Sequence, residues 1–327
     1  MARSLVRGPV PAFLSAFLSA VLLLALPAAA AFPERPITLS LGFSAGGSSD
    51  VTARAFGPYM EKYLPPGAKI VIENKPGGDG VNMYRALARE KPDGYNLGLL
   101  VSPNAIAVLH EGKNLRYDLD SFDYIGQIIK DYTTLTVAKD SRFKTLGEMI
   151  EWGRQNPRGI TVGLTGFSGA FVAIRSMFQL AKVEVTYVPF GGGELSTALL
   201  GGHITASGVN LASAGAYKDV QRILVVFAEE RLAGLKDIPT VRENGYDVVG
   251  VTTRGIVAPK GLPADVREIL VKAVAQASQD PGYHEYLRKG GLLPGYLDPD
   301  AYAAYIRAVY KQHGEIWARD PWIRTGK

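Results

Sequence analysis

Ile37–Tyr63 reads ITLSLGFSAGGSSDVTARAFGPYMEKY, and its patterning changes twice. Ile37-Thr38-Leu39-Ser40-Leu41 alternates apolar and polar residues, the period of a strand. The alternation stops at Gly42, and the small, polar stretch Gly42–Asp50 follows. Val51, Ala55, Phe56, Tyr59, Met60 and Tyr63 then recur on one helical face, until Pro65-Pro66-Gly67 ends the helix. Strand, small-residue loop and helix in this order open a βαβ unit.

Further along, Lys69–Glu73 (KIVIE) reads as a second strand, and the loop Asn74–Gly80 leads into a helix reaching about Arg89. Pro92-Asp93-Gly94 is turn chemistry, and Asn96–Val101 reads as a third strand. This spacing predicts a parallel sheet. The pattern pauses between Ser102 and Lys130. Strands are then expected at Thr134–Ala138, Ile160–Leu164, Glu184–Val188, Ile204–Gly208 and Arg222–Phe227. Helices are expected at Leu146–Gln155, Gly169–Lys182 and Leu195–Leu200. Val249–Ala258 is apolar and long enough to cross between domains. Helical faces follow, one through Val266, Leu270 and Ala277 and one through Tyr302, Ile306 and Val309. The expected fold is α/β with two lobes, the chain returning to the first.

Composition narrows the function. The chain has 327 residues, 47% hydrophobic and 20% charged, with no cysteine. At roughly 150 residues per domain it has room for about two. Without cysteine there is no disulfide framework, thiolate catalysis, Cys-ligated zinc, iron–sulfur cluster or lipoprotein anchor. The formal charge of +5 has no Lys/Arg block behind it, which argues against a nucleic-acid partner. Arg3 and Arg7 precede an apolar run, Val10–Leu26, then Pro27 and Ala28–Ala31. This is the layout of a secretory signal over residues 1–31, cleaved after Ala30 or Ala31, with an exported, soluble mature protein.

Three loops offer chemistry. The first, Phe43-Ser44-Ala45-Gly46-Gly47-Ser48-Ser49-Asp50, follows a strand and opens a helix. Ligands of open parallel sheets bind at such strand ends, and the free N–H groups and dipole of a helix N-terminus suit an anion. Thr165-Gly166-Phe167-Ser168-Gly169 repeats this logic in the second lobe, and Phe190–Glu194, with Gly191, does so again. Phe43 and Phe167 could wall a ligand. Arg254, inside an apolar run, reads either as a partner in an inter-lobe salt bridge or as the partner of a ligand carboxylate. Asp50 reads as a helix cap or as a contact for a ligand amine. The four histidines have no ligand spacing, and Asp118, Asp120 and Asp123 lack the rest of a calcium loop, so no metal and no cofactor are expected. Gly42-Phe43-Ser44-Ala45-Gly46 also fits the G-x-S-x-G elbow, which gives an esterase-like α/β hydrolase using Ser44 as the alternative.

Several ordered segments resemble the substrate-binding receptors of tripartite tricarboxylate transporters, the Bug proteins. They are FPERPITLSLGF (Phe32–Phe43), AGGSSDVTAR (Ala45–Arg54), VIENKPGGDG (Val71–Gly80), KPDGYNLGLL (Lys91–Leu100), TLGEMI (Thr145–Ile150), YVPFGGGELSTALLGG (Tyr187–Gly202), IPTVRENG (Ile238–Gly245) and GIVAPKGLP (Gly255–Pro263). The resemblance implies a periplasmic-binding-protein type II fold, two α/β lobes with two crossover strands and a ligand cleft between them. Lobe 1 would be residues 32–133 and 253–327, and lobe 2 residues 134–252. It implies a non-enzymatic periplasmic receptor, expected to be monomeric, that takes up a small di- or tricarboxylate or related acid and delivers it to membrane permease subunits. The carboxylate would be held by Ser44–Asp50 and Thr165–Gly169. Many members carry a His shortly after the Ser of the second loop; here Ser168 precedes Gly169-Ala170-Phe171-Val172. Many have Trp where this chain has Thr253, and the pair Arg254-Gly255 is similar to the tricarboxylate branch.

Overall fold

The computed structural model describes residues 32–111, 115–165, 169–190, 194–290 and 292–319. The expected signal segment, residues 1–31, lies outside them. Residues 35–327 form one compact unit, separate from 1–34, and all that follows concerns it. Among its described residues no helix is long and apolar enough to cross a membrane.

The strands, in chain order, are β1 (Ile37–Leu41), β2 (Ile70–Asn74), β3 (Asn96–Ser102), β4 (Phe122–Ala138) and β5 (Ile160–Leu164). They continue with β6 (Val185–Pro189), β7 (Ala206–Asn210), β8 (Gln221–Val226), β9 (Val251–Pro259) and β10 (Leu293–Leu297). The helices begin with α1 (Ser48–Tyr63), α2 (Val81–Leu87), α3 (Asn104–Ala107), α4 (Leu146–Gln155) and α5 (Gly169–Leu180). Then come α6 (Glu194–Leu200), α7 (Leu211–Ala216), α8 (Ala264–Ser278), α9 (Pro281–Lys289) and α10 (Pro299–Arg319).

β1 pairs in parallel with β2 and β3, as the opening βαβ pattern requires. β3 meets β9 antiparallel, and β9 runs antiparallel along the first two thirds of β4. The end of β4 enters a second sheet, where Thr133–Thr136 pairs with β7. In that sheet β7 is parallel to β5, and β5 to β6. β4 therefore passes from one sheet into the other, and the chain enters β9 from the second side, where the Gly250 N–H donates to the Phe227 carbonyl just before the strand begins; this is the two-lobed type II arrangement. One core lies on the second sheet, with Ile174, Met177 and Phe178 of α5 packed over Leu135, Val162 and Val225. Another joins Met83 of α2 and Leu100, Phe122 and Val257 of the first sheet to Tyr302 and Ile306 of α10.

The expected pause between Ser102 and Lys130 needs correcting. It holds α3, a 3-10 turn at Val108–Glu111 and the first half of a 17-residue strand, β4. Almost every residue of β4 is buried on both faces, so the polar–apolar alternation that betrays a half-exposed strand is missing. Register shifts between Tyr124 and Gly126 and between Gln127 and Ile129 break the period further. α7 and β10 were likewise not expected as separate elements.

Candidate functional site

β1 ends against the mouth of a cleft, and the loop after it is shaped by close packing. A Cβ on Gly42 would lie 2.5 Å from Gly80 Cα, so two glycines let this loop rest on the backbone of the loop after β2. Gly46 has a φ of 78°, in the left-handed region that glycine enters without strain. Asp50 is buried and faces back into the loop. Its Oδ2 accepts from the Gly46 N–H at 3.0 Å and its Oδ1 from Arg54 Nε at 2.9 Å. Arg54 also donates to Asn74 Oδ1, while Asn74 Nδ2 donates to the Phe43 carbonyl. Burial pushes the Asp50 carboxyl up, but hydrogen bonds from Arg54, the Gly46 N–H and Asn74 more than offset it, leaving it below the usual carboxylate range. Asp50 is thus a brace for the loop. The cap of α1 is Gly47, with no side-chain hydrogen bond.

The cleft is a cavity of about 40 Å³ enclosed from both sheets. From the first sheet it takes Phe43, Gly47, Ser48, Ser49, Val101 and Asn104. The second contributes Thr165, Ala170, Gly208, Val209, Asn210 and Ser213, and the crossing strand β9 gives Thr252 and Arg254. The first turns of α1 and α5 both open onto it. The N–H groups there have no partner one turn earlier in their helix, and each dipole presents its positive end. These donors are neutral, so an anion can be held without a lysine.

Arg254 is the one charged residue among the described lining residues, and it is 2% exposed. Its Nη1 donates to Asp131 Oδ2 at 2.5 Å, and its Nε lies 3.4 Å from Ser49 Oγ. Asp131, on β4, is wholly buried, and its Oδ1 accepts from the Ala212 N–H at the start of α7. Burial pushes the Asp131 carboxyl up; the Arg254 charge and the N–H groups of Ala212 and Leu211 pull it back without cancelling the rise. The pair joins both crossing strands, α1 and α7 at one point. Of the two readings of Arg254, a salt bridge is present, though both its partners fall within the expected lobe 1, and the same guanidinium also lines the cavity.

The structure brings Phe43, Gly47, Ser48, Ser49, Thr165 and Arg254 together around the cavity. Ser44, Ala45, Gly46, Asp50 and Gly169 stand outside its lining, the last only one residue away. The expected contacts Gly166, Phe167, Ser168 and Gly191 lie outside the described residues. Sequence reasoning missed Asn104, Asn210, Ser213 and Thr252, neutral residues in no motif. A signal existed for Asn210, since it stands between a strand and a helix.

Comparison with known proteins agrees with this geometry. Residues 53–319 match the profile of the family described as "Tripartite tricarboxylate transporter family receptor". A relative from Cupriavidus necator, described as "UPF0065 protein in gbd 5'region", is 31% identical over 310 residues, covering 93% of this chain and 94% of its own. Among solved structures, the periplasmic binding protein BugD superposes with a TM-score of 0.80 at 26% identity, covering 88% of this chain and 98% of its own. MatC from Rhodopseudomonas palustris, solved with bound malate, gives 0.77 at 25% identity, covering 87% and 99%. The hydrolase alternative falls here, since the matching family is one of receptors and Ser44 does not line the cavity. A cleft of neutral donors between two sheets joined by crossing strands thus meets its counterpart in sequence: the chain belongs to the receptors of the tripartite tricarboxylate transporter family.

Proposed function

We propose that the protein captures a small carboxylate in this cleft, in the periplasm after loss of the signal at residues 1–31, and hands it to the membrane subunits of a tripartite transporter. The observation that carries the reading is the convergence of the α1 and α5 N-termini, one from each sheet, on a single cavity. A carboxylate there accepts from the N–H groups of the Gly47–Ser49 turn and from the Ser49 and Thr165 hydroxyls. Asp131 fixes the Arg254 guanidinium, whose remaining N–H groups face the acid. The lobes are residues 32–133 with 253–327, and residues 134–252, and they close on the ligand as rigid bodies about β4 and β9. A monomer suffices for this. The malate of MatC supports the ligand class.

Thermal unfolding of the mature chain tests the reading, after unfolding, dialysis and refolding to strip any bound molecule. The panel is citrate, C4 to C8 dicarboxylates, aromatic acids and amino acids. An acid at about a hundred times its Kd adds roughly 2.7 kcal/mol and raises the midpoint by a few degrees. At least one carboxylate should do so, and Ser49→Val should abolish the shift. If no acid of the panel moves the midpoint, the carboxylate reading is wrong.

A further inference from the structure

The crossing strands have a second face. On β9, Thr252 and Arg254 look into the cleft, and Val251 turns to the other side, as strand alternation requires. There it borders another cavity, of about 310 Å³. Val309 and Gln312 of α10 form one wall and Val172 and Ser176 of α5 the other. α10 is rooted in the first-sheet core through Tyr302 and Ile306, and α5 in the second through Ile174 and Met177. The two walls therefore belong to different lobes. Between them Gly250 passes so close to α5 that a Cβ would lie 2.8 Å from that of Ala173.

The chemistry of this cavity is that of a neutral site. Among the described residues its lining has no acid, lysine or arginine. Its one histidine, His313, is held below its ordinary pKa by burial and then by the nearby charge of His110. Ser102 and Thr253 are each 1% exposed, and their hydroxyls lie near that of Tyr305. Neither Ser102 Oγ nor Thr253 Oγ1 makes a hydrogen bond of normal geometry. Ser102 and Tyr305 border the cavity, and a buried hydroxyl that makes no hydrogen bond of normal geometry is ordinarily satisfied by water or a ligand.

Rotation about the crossing strands moves the two faces in opposite senses, so opening the cleft closes the space behind it. Here the cleft is narrow, about 40 Å³, and the rear cavity is wide, about 310 Å³. We propose that the rear cavity is a second site, for a small neutral molecule with an apolar body and a hydroxyl or amide end, and that filling it holds the front cleft shut. The proposal rests on the reading of the cleft as one that closes, but needs no carboxylate for its test.

The chain has no cysteine, so Glu90→Cys and Thr197→Cys, both at exposed positions, place one spin label on each lobe. Pulsed dipolar spectroscopy then reads the open and closed populations of the ligand-free protein. Ser176→Leu, which fills the cavity, should raise the closed-to-open ratio roughly fivefold, and Val172→Ala with Val309→Ala should lower it. Cyclohexanol and benzyl alcohol should shift the parent protein toward closure in a saturable manner, and Ser176→Leu should abolish that response. Variants with unchanged melting points that leave the ratio unmoved, or move it the same way, overturn the proposal. So does a parent protein that neither alcohol shifts. A working carboxylate screen beside a failed spin-label result would leave the front site intact.

Discussion

A methyl group at position 42 has no space to enter, because the obstacle is the Gly80 backbone and not a side chain that can swing away. Gly42→Ala should therefore cost about 1–3 kcal/mol, read as a lower thermal midpoint, and should also displace the loop that lines the cleft. Asp50 acts on the same loop at one remove. Asp50→Asn keeps its size but weakens the bond to Arg54, and affinity for a stabilising acid should fall roughly tenfold by calorimetry. Unchanged affinity would show that the loop holds its shape without the brace. The Arg254–Asp131 pair permits a sharper comparison. Either Arg254→Met or Asp131→Leu strands a buried charge and should cost about 3–5 kcal/mol in urea unfolding, while the double variant should recover most of the loss. An additive double variant would mean that the two charges are satisfied independently.

Among the elements, α1 and α9 meet at Asp280. This residue caps α9 through the Gly282 N–H and accepts from Lys62 and Tyr63 at the end of α1. The Lys62 hydrogen bond, opposed by burial and helped by Tyr63, the Gly282 N–H and the Lys62 charge, lowers the Asp280 pKa to about 2. A depressed carboxylate stabilises the fold above its unfolded pKa of 3.8 and loses that contribution as pH falls through about 2. Asp280→Asn should thus flatten stability between pH 4 and 2, measured by denaturant midpoints, and a profile as steep as the parent's would assign the acid limb to other groups. The element scale also shows what was readable from sequence. β1, β5 and α4 have the expected bounds because each joins a clear period to a stop signal, Gly42 for β1 and the Thr145 cap for α4. The part of β4 before Thr134 was hidden, since a strand buried on both faces has no polar side, and its buried Gln127, Asp131 and Thr133 interrupt the apolar run. In the site, Gly47–Ser49 and Arg254 were legible because small-residue loops and a lone cation in apolar surroundings stand out locally. Asn104 and Ser213 were not, because their position depends on how the second sheet folds back toward the first.

For the whole molecule the decisive feature is that β4 is one uninterrupted strand with its start in one sheet and its end in the other. The two lobes are consequently not separate folding units. Melting either sheet strips hydrogen bonds from a strand the other sheet needs, and β9, paired along β4, is lost with it. Heat should therefore take the described core apart in a single cooperative step, with equal calorimetric and van't Hoff enthalpies. Two resolved transitions would show that the shared strand does not couple the halves. The same continuity links occupancy to lifetime: if the halves melt together, an acid held between the lobes should protect the whole described core from proteolysis, including surfaces far from the cleft, because a protease would find no half-unfolded form.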